Sequence, residues 1–120
     1  MNDAPMPAPV VTFSLRIVAG AEVLRELAAL VGPTRAQPGC LRCALLRGAE
    51  NAAALEFVEE WASREDLDRH LRSEDCRRLL ATAERAHSPP EFHIRTLAVC
   101  EGIEAIAAVR GALAGRLDRH

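Results

Sequence analysis

The sequence predicts a single α+β domain built on one antiparallel sheet, and two observations carry that prediction. Between Leu55 and Leu71 a period-2 pattern of apolar residues gives way to a period-3.6 pattern, which reads as a strand running straight into a helix. Strand-like and helix-like stretches then follow one another along the chain in the order strand, helix, strand, strand, helix, strand, with Gly, Pro or Ser at the boundaries.

In chain order, Met1 to Pro9 carries prolines at 5, 7 and 9, which block helix and central-strand pairing, so residues 1–9 are expected to be a flexible leader. Val11, Phe13, Leu15 and Ile17 alternate with Thr12, Ser14 and Arg16, the clearest strand of the chain. After Gly20, the spacing of Val23, Leu24, Leu27, Leu30 and Val31 predicts a helix that ends or kinks where Gly32 meets Pro33. Pro38-Gly39 is turn chemistry. Leu41, Cys43 and Leu45, set against Cys40, Arg42 and Ala44, predict a second strand that turns between Gly48 and Ala52.

Leu55, Phe57, Glu59 and Trp61 share one face of the third strand, and Ser63, three residues before Asp66, is placed to cap the helix carrying Leu67, His70 and Leu71. Ser73 offers a second cap, opening a stripe of Cys76, Leu79, Leu80, Ala83 and Ala86 that Ser88-Pro89-Pro90 stops. Phe92 to Val99 is the fourth strand. Gly102 to Leu117 is an amphipathic helix whose apolar side is expected to cover something.

That order is a ferredoxin-like βαββαβ unit, a four-stranded antiparallel sheet with helices on one face, over residues 10–100, with an extra C-terminal helix over 101–120. Leu41 to Leu46 and Phe92 to Val99 carry apolar residues at both parities. A lone four-stranded sheet would leave that surface in water, so two copies are expected to pack sheet to sheet as a homodimer.

The charge balance, 15 basic against 17 acidic residues with no long run of one sign, offers no field to recruit nucleic acid or an anionic membrane, and neither is expected as a partner. All the basic residues are arginine and tyrosine is absent, so acid–base chemistry falls to His, Glu, Asp or Cys. No apolar run approaches the roughly 18 residues of a membrane span. Four cysteines without a basic-then-apolar leader point to a cytoplasmic setting.

Glu59, between Phe57 and Trp61 on one strand face, must be paired, protonated or turned to a wet cleft. Histidine is the side chain suited to take or give a proton near neutral pH, and His70 falls on the same helical side as Leu67, so Trp61, Glu59 and His70 are expected to converge on one cavity, lined also by Phe57 and Leu67. Each has a plainer reading: a histidine satisfied by a backbone carbonyl, a tryptophan packed in the core, a glutamate bridged to one of the arginines. Trp61 would otherwise offer its indole N–H to a substrate oxygen, and Glu59 would orient His70. Cys40-Leu41-Arg42-Cys43 is a lone C-x-x-C. On a regular strand residues i and i+3 face opposite ways, so these thiols are expected neither to meet nor to share a metal. No cofactor is expected, since no Gly-rich strand-to-helix fingerprint is present.

Glu59-Glu60-Trp61, the capped turn at Ser63, Leu67, and His70 nine residues after the tryptophan resemble the antibiotic biosynthesis monooxygenase family, relatives of the quinol monooxygenases. Pro33-Thr34-Arg35-Ala36-Gln37-Pro38-Gly39-Cys40 is similar to that family's link from first helix to second strand, and the likeness spans Val10 to Leu97. The resemblance implies a dimeric α+β barrel with a ligand cavity on the helix-covered side of each subunit, and His70 at its border. It also implies a cofactor-independent monooxygenase acting on a small aromatic quinol or phenol. One fold hosts many activities, so a non-catalytic ligand-binding or stress-response dimer stands beside that reading. Haem degradation ranks below both, because the positions that would carry its histidine, tryptophan and asparagine hold Leu80, His70, and Thr12 or Ser14.

Overall fold

The computed structural model describes residues 9–98 and 101–117, with side chains described as far as Gly111. Its elements are β1 (Val10–Val18), α1 (Ala21–Arg35), β2 (Cys40–Arg47), β3 (Ala54–Trp61), α2 (Arg64–Leu71), α3 (Glu74–Ala83), β4 (Glu91–Leu97) and α4 (Ile103–Leu117). The four strands form one antiparallel sheet in the order β2-β3-β1-β4, the arrangement that the βαββαβ order predicts. Most of the expected leader and Val99 and Cys100 lie outside the described residues.

Alternation decides which way the sheet faces. Val11, Phe13, Leu15 and Ile17 of β1 are all buried, as are Leu55, Phe57, Glu59 and Trp61 of β3, and register sets Phe13 opposite Glu59 and Leu15 opposite Phe57. Val23, Leu27 and Leu30 of α1 close over this side with Leu67, Leu79 and Ala83 from α2 and α3. The other face carries Thr12, Ser14 and Arg16 beside Glu60, Val58 and Glu56, and is laced by the ion pairs Arg16–Glu56 at 3.0 Å and Arg42–Glu60 at 3.5 Å.

The open face is therefore more polar than the sequence pattern suggests. Phe92 and Ile94 pair with Leu15 and Phe13, so they lie on the helix-covered side, yet both are 42% exposed because β4 is an edge strand.

Helix starts follow the capping signals. Ser63 Oγ accepts from the Asp66 backbone N–H at 3.1 Å and donates to Asp66 Oδ2 at 2.8 Å; Ser73 Oγ accepts from the Cys76 N–H at 3.1 Å. The expected break at Gly32-Pro33 does not occur, and α1 runs on to Arg35. The clash that proline imposes on the preceding residue falls here on a glycine without a Cβ, and Ala36 N–H closes the turn onto the Gly32 carbonyl.

Gly39 is the sole residue of positive φ among those described, at 83°, and a Cβ there would lie 2.2 Å from Asp66 Cγ, so only glycine fits this turn.

A further expectation fails. β2 does not alternate from its first residue: Cys40 stands opposite Trp61, Arg42 opposite Glu60 and Cys43 opposite Glu59, so a bulge at Leu41 takes up one residue. Leu41 is thereby 57% exposed and does not share a face with buried Cys43. On α4 the side chains of Ile103, Ile106 and Val109 are 69%, 55% and 70% exposed. Among the described residues no helix is long and apolar enough to cross a membrane.

Candidate active site

The end of β3 and the helix that follows it bring three polar or aromatic side chains together under the sheet. Glu59 and Trp61, two apart on a strand, point the same way, and the capped turn at Ser63 folds α2 back so that His70, in its last turn, meets them. Glu59 and Trp61 are fully buried and His70 is 1% exposed.

The carboxylate binds both rings. Trp61 Nε1–H donates to Glu59 Oε1 at 2.8 Å, and His70 Nε2 lies 3.0 Å from Glu59 Oε2. The imidazole and indole rings stack, with centroids 4.8 Å apart and planes at 26°. Glu59 therefore answers the cost of burial with two hydrogen bonds, neither of them from an arginine.

The chain of bonds continues outward. His70 Nδ1 lies 2.9 Å from Gln37 Oε1, and Gln37 Nε2 donates to Asp75 Oδ2 at 3.0 Å. Gln37 comes from the link between α1 and β2 and Asp75 from the first turn of α3, and both are half-buried. Neither is marked for chemistry by the sequence. Gln37 reads there as part of a turn and Asp75 as an acid favoured at a helix start; only the tertiary fold sets them in line with His70. No buried side-chain nitrogen or oxygen among the described residues lacks a partner.

Thiols flank the carboxylate. Cys43, opposite Glu59 on β2, is fully buried, and burial, then the negative charge of Glu59 and the neighbouring Cys40, push its thiol up to about 12. Cys76 on α3, also fully buried, is pushed up to about 11 by burial and then by Glu59. Cys40 is raised by the same two causes in the same order.

The expectation that Cys40 and Cys43 face opposite ways is overturned, because the bulge at Leu41 puts both on the Glu59–Trp61 side. Each nonetheless carries a free thiol, and no cluster of three His, Cys, Asp or Glu able to hold a metal ion is found among the described residues.

Phe57 and Leu67, 1% and 0% exposed, pack in the core around this cluster. Two open cavities lie elsewhere. One of about 490 Å³ sits at the far end of the strands, lined by Arg16, Val18, Leu46, Arg47, Leu55 and Pro89 among others. The second, about 560 Å³, is a groove between α1 and α3 lined by Glu26, Leu30, Arg77, Arg78 and Arg85.

The antibiotic biosynthesis monooxygenase sequence profile matches residues 9–82, from β1 through the end of α3 and across the whole Glu59–Trp61–His70 cluster. The chain belongs to the antibiotic biosynthesis monooxygenase family.

Solved structures agree on the fold. Rv0793 from Mycobacterium tuberculosis is 26% identical with a TM-score of 0.64, covering 78% of this chain and 97% of its own. PA3566 from Pseudomonas aeruginosa is 26% identical at 0.64, covering 82% and 100%. SnoaB, a cofactor-independent oxygenase from Streptomyces nogalater, is 21% identical at 0.65, covering 76% and 95%. No curated protein matches the chain.

Proposed function

We propose that this family member is a cofactor-independent monooxygenase that oxidises a small aromatic quinol or polyketide-like phenol with O₂, with His70, Glu59 and Trp61 as its catalytic residues. One observation carries the reading: a buried glutamate holds Nε2 of a histidine whose other nitrogen points toward half-buried Gln37. A carboxylate behind an imidazole orients the ring and stabilises the imidazolium that forms when the far nitrogen takes a proton. The Trp61 indole fixes the other oxygen of that carboxylate and walls the site.

A ligand that displaces the Gln37 side chain brings its acidic O–H or C–H to Nδ1. Removing that proton leaves an electron-rich anion, which passes one electron to O₂; the radicals combine and the peroxide collapses. For an activated methylene the balance is CH₂ plus O₂ giving C=O plus H₂O, so one oxygen atom enters the product and the other leaves as water with both hydrogens. No external electron donor is required. Burial among apolar side chains keeps the anion from bulk water.

In this reading the active unit is a homodimer working in the cytoplasm, where free thiols persist. The dimer is supported by half-exposed Leu46 and Leu97, which stand opposite Glu56 and Val10 on the sheet face turned away from the helices. SnoaB supplies a precedent for cofactor-free oxygenation on the same fold. The test is oxygen consumption by the purified protein with a panel of dihydroxynaphthalenes and anthrones. Uptake with at least one, without added flavin or metal, is the expected result. Binding of panel members without uptake would instead favour a ligand-binding dimer.

A further inference from the structure

We infer that Gln37 and Asp75 are positioning residues that lock His70 in the form carrying its proton on Nδ1, so that the resting protein presents an N–H, and not a lone pair, where a substrate would meet it.

Donors and acceptors must match along four hydrogen bonds. A carboxylate offers only acceptors, so the Gln37 group 3.0 Å from Asp75 Oδ2 is the amide NH₂. That fixes the orientation of the amide and turns its carbonyl toward His70, 2.9 Å from Nδ1. A carbonyl cannot donate, so Nδ1 must carry hydrogen.

At the other end of the ring, the 3.0 Å contact between Nε2 and Glu59 Oε2 needs one proton between them, and Trp61 N–H already occupies Oε1 at 2.8 Å. Glu59 and His70 thus hold two protons over three sites, one of them pinned on Nδ1. The pair is neutral whether the second proton sits on carboxyl or imidazole, which suits side chains 0% and 1% exposed.

A histidine held this way cannot accept a proton at Nδ1. It becomes a base only when the Gln37 carbonyl moves aside and the Nδ1 proton passes to solvent water. Gln37 sits half-buried beside the Pro38-Gly39 turn and bonds the ring directly. Asp75 acts only through it, holding the amide in the locking orientation. This assignment stands on the hydrogen-bond chain and is independent of the oxygenation proposed above.

The test is a ¹⁵N–¹H spectrum of the histidine side chains at neutral pH, which distinguishes protonated from bare ring nitrogens. His70 is assigned by its loss in His70→Gln. In the wild-type protein Nδ1 should be protonated; a bare Nδ1 overturns the inference. In Gln37→Leu the acceptor is gone and the Nδ1 proton should be lost, leaving Nε2–H on Glu59; an unchanged spectrum overturns the role of Gln37.

In Asp75→Ala the amide is free to turn, so both ring tautomers should appear; a spectrum like the wild type removes Asp75 from the lock. Adding Gln37→Glu to Asp75→Ala supplies an acceptor that cannot flip and should restore Nδ1–H, a rescue that loss of packing alone does not predict. Oxygen uptake plays no part in these readouts, so a failed oxygenase assay and a failed lock are told apart.

Discussion

The Trp61 indole lies stacked on the His70 imidazole, centroids 4.8 Å apart, while each ring also binds a different oxygen of Glu59. The three side chains form a closed triangle: the carboxylate joins the two ring edges, and the ring faces join each other. A change at any corner disturbs two contacts.

Glu59 is the corner whose loss should cost most stability. Glu59→Leu leaves the Trp61 N–H and His70 Nε2 buried without their partner, and each such group costs about 1–3 kcal/mol, so unfolding free energy should fall by roughly 2–6 kcal/mol. Glu59→Gln keeps a carbonyl for Trp61 and an N–H for Nε2, and should cost under about 1.5 kcal/mol. Urea denaturation at neutral pH measures both. Equal losses would mean that volume, and not hydrogen bonding, is what Glu59 supplies.

His70→Ala should lower oxygen uptake by about 10²–10⁴ if its imidazole takes the substrate proton. Trp61→Phe keeps most of the packing and loses the N–H that fixes Glu59, so turnover should drop together with a loss of order 1 kcal/mol in stability. Oxygen-electrode traces paired with melting curves separate the two effects. Full activity in His70→Ala would reject the base assignment.

Much of this is legible in the sequence. The strand-to-helix switch at Trp61 and Ser63, the caps and the order of elements all come from local pattern, and local pattern decides the fold. What stays hidden needs more than one segment. The Leu41 bulge is a property of how β2 pairs with β3, and no periodicity in Cys40 to Leu46 announces it. Gln37 and Asp75 lie 38 residues apart and acquire meaning only when α1 and α3 pack side by side. The apolar stripe of α4 is plain in the sequence, but pattern cannot say what, if anything, faces it.

The thiols predict a pH dependence. Burial raises Cys43 to about 12 and Cys76 to about 11 from an ordinary 9.0, so the unfolded chain loses these protons first as pH rises. The stabilisation is therefore complete below about pH 8, falls as pH climbs through 9, and is exhausted near 12 for Cys43 and near 11 for Cys76, a decline on the order of a few kcal/mol in all. Denaturation curves between pH 8 and about 10.5 should show that decline, shallower in Cys43→Ala. Iodoacetamide at pH 8 should label the folded protein slowly at Cys43 and Cys76. Rapid labelling of both would show that the helix side opens readily.

Assembly is checked by mass. Light scattering at micromolar concentration should give twice the 13.0 kDa chain mass, as expected when half-exposed Leu46 and Leu97 on the open sheet face meet a second copy. Leu46→Glu with Leu97→Glu should shift the mass toward that of one chain with little change in far-ultraviolet circular dichroism. A wild-type protein that runs as a single chain would remove the dimer from the proposal.

The bulge at Leu41 also marks where the chain can be shortened. Every residue of β2 beyond it keeps strict parity with β3, but Cys40, and the Gly39 carbonyl that accepts from Ala62 N–H at 2.9 Å, are in phase with Trp61 only because one residue is skipped. Deleting Leu41 would leave Cys40 opposite Trp61 and Arg42 opposite Glu60 in a regular ladder, with the Gln37 link still in step with His70. Deleting a paired residue such as Ala44 would instead reverse the parity between it and the bulge and turn Cys43 away from Glu59. Within this short strand the one position outside the ladder is the one whose loss the ladder can absorb.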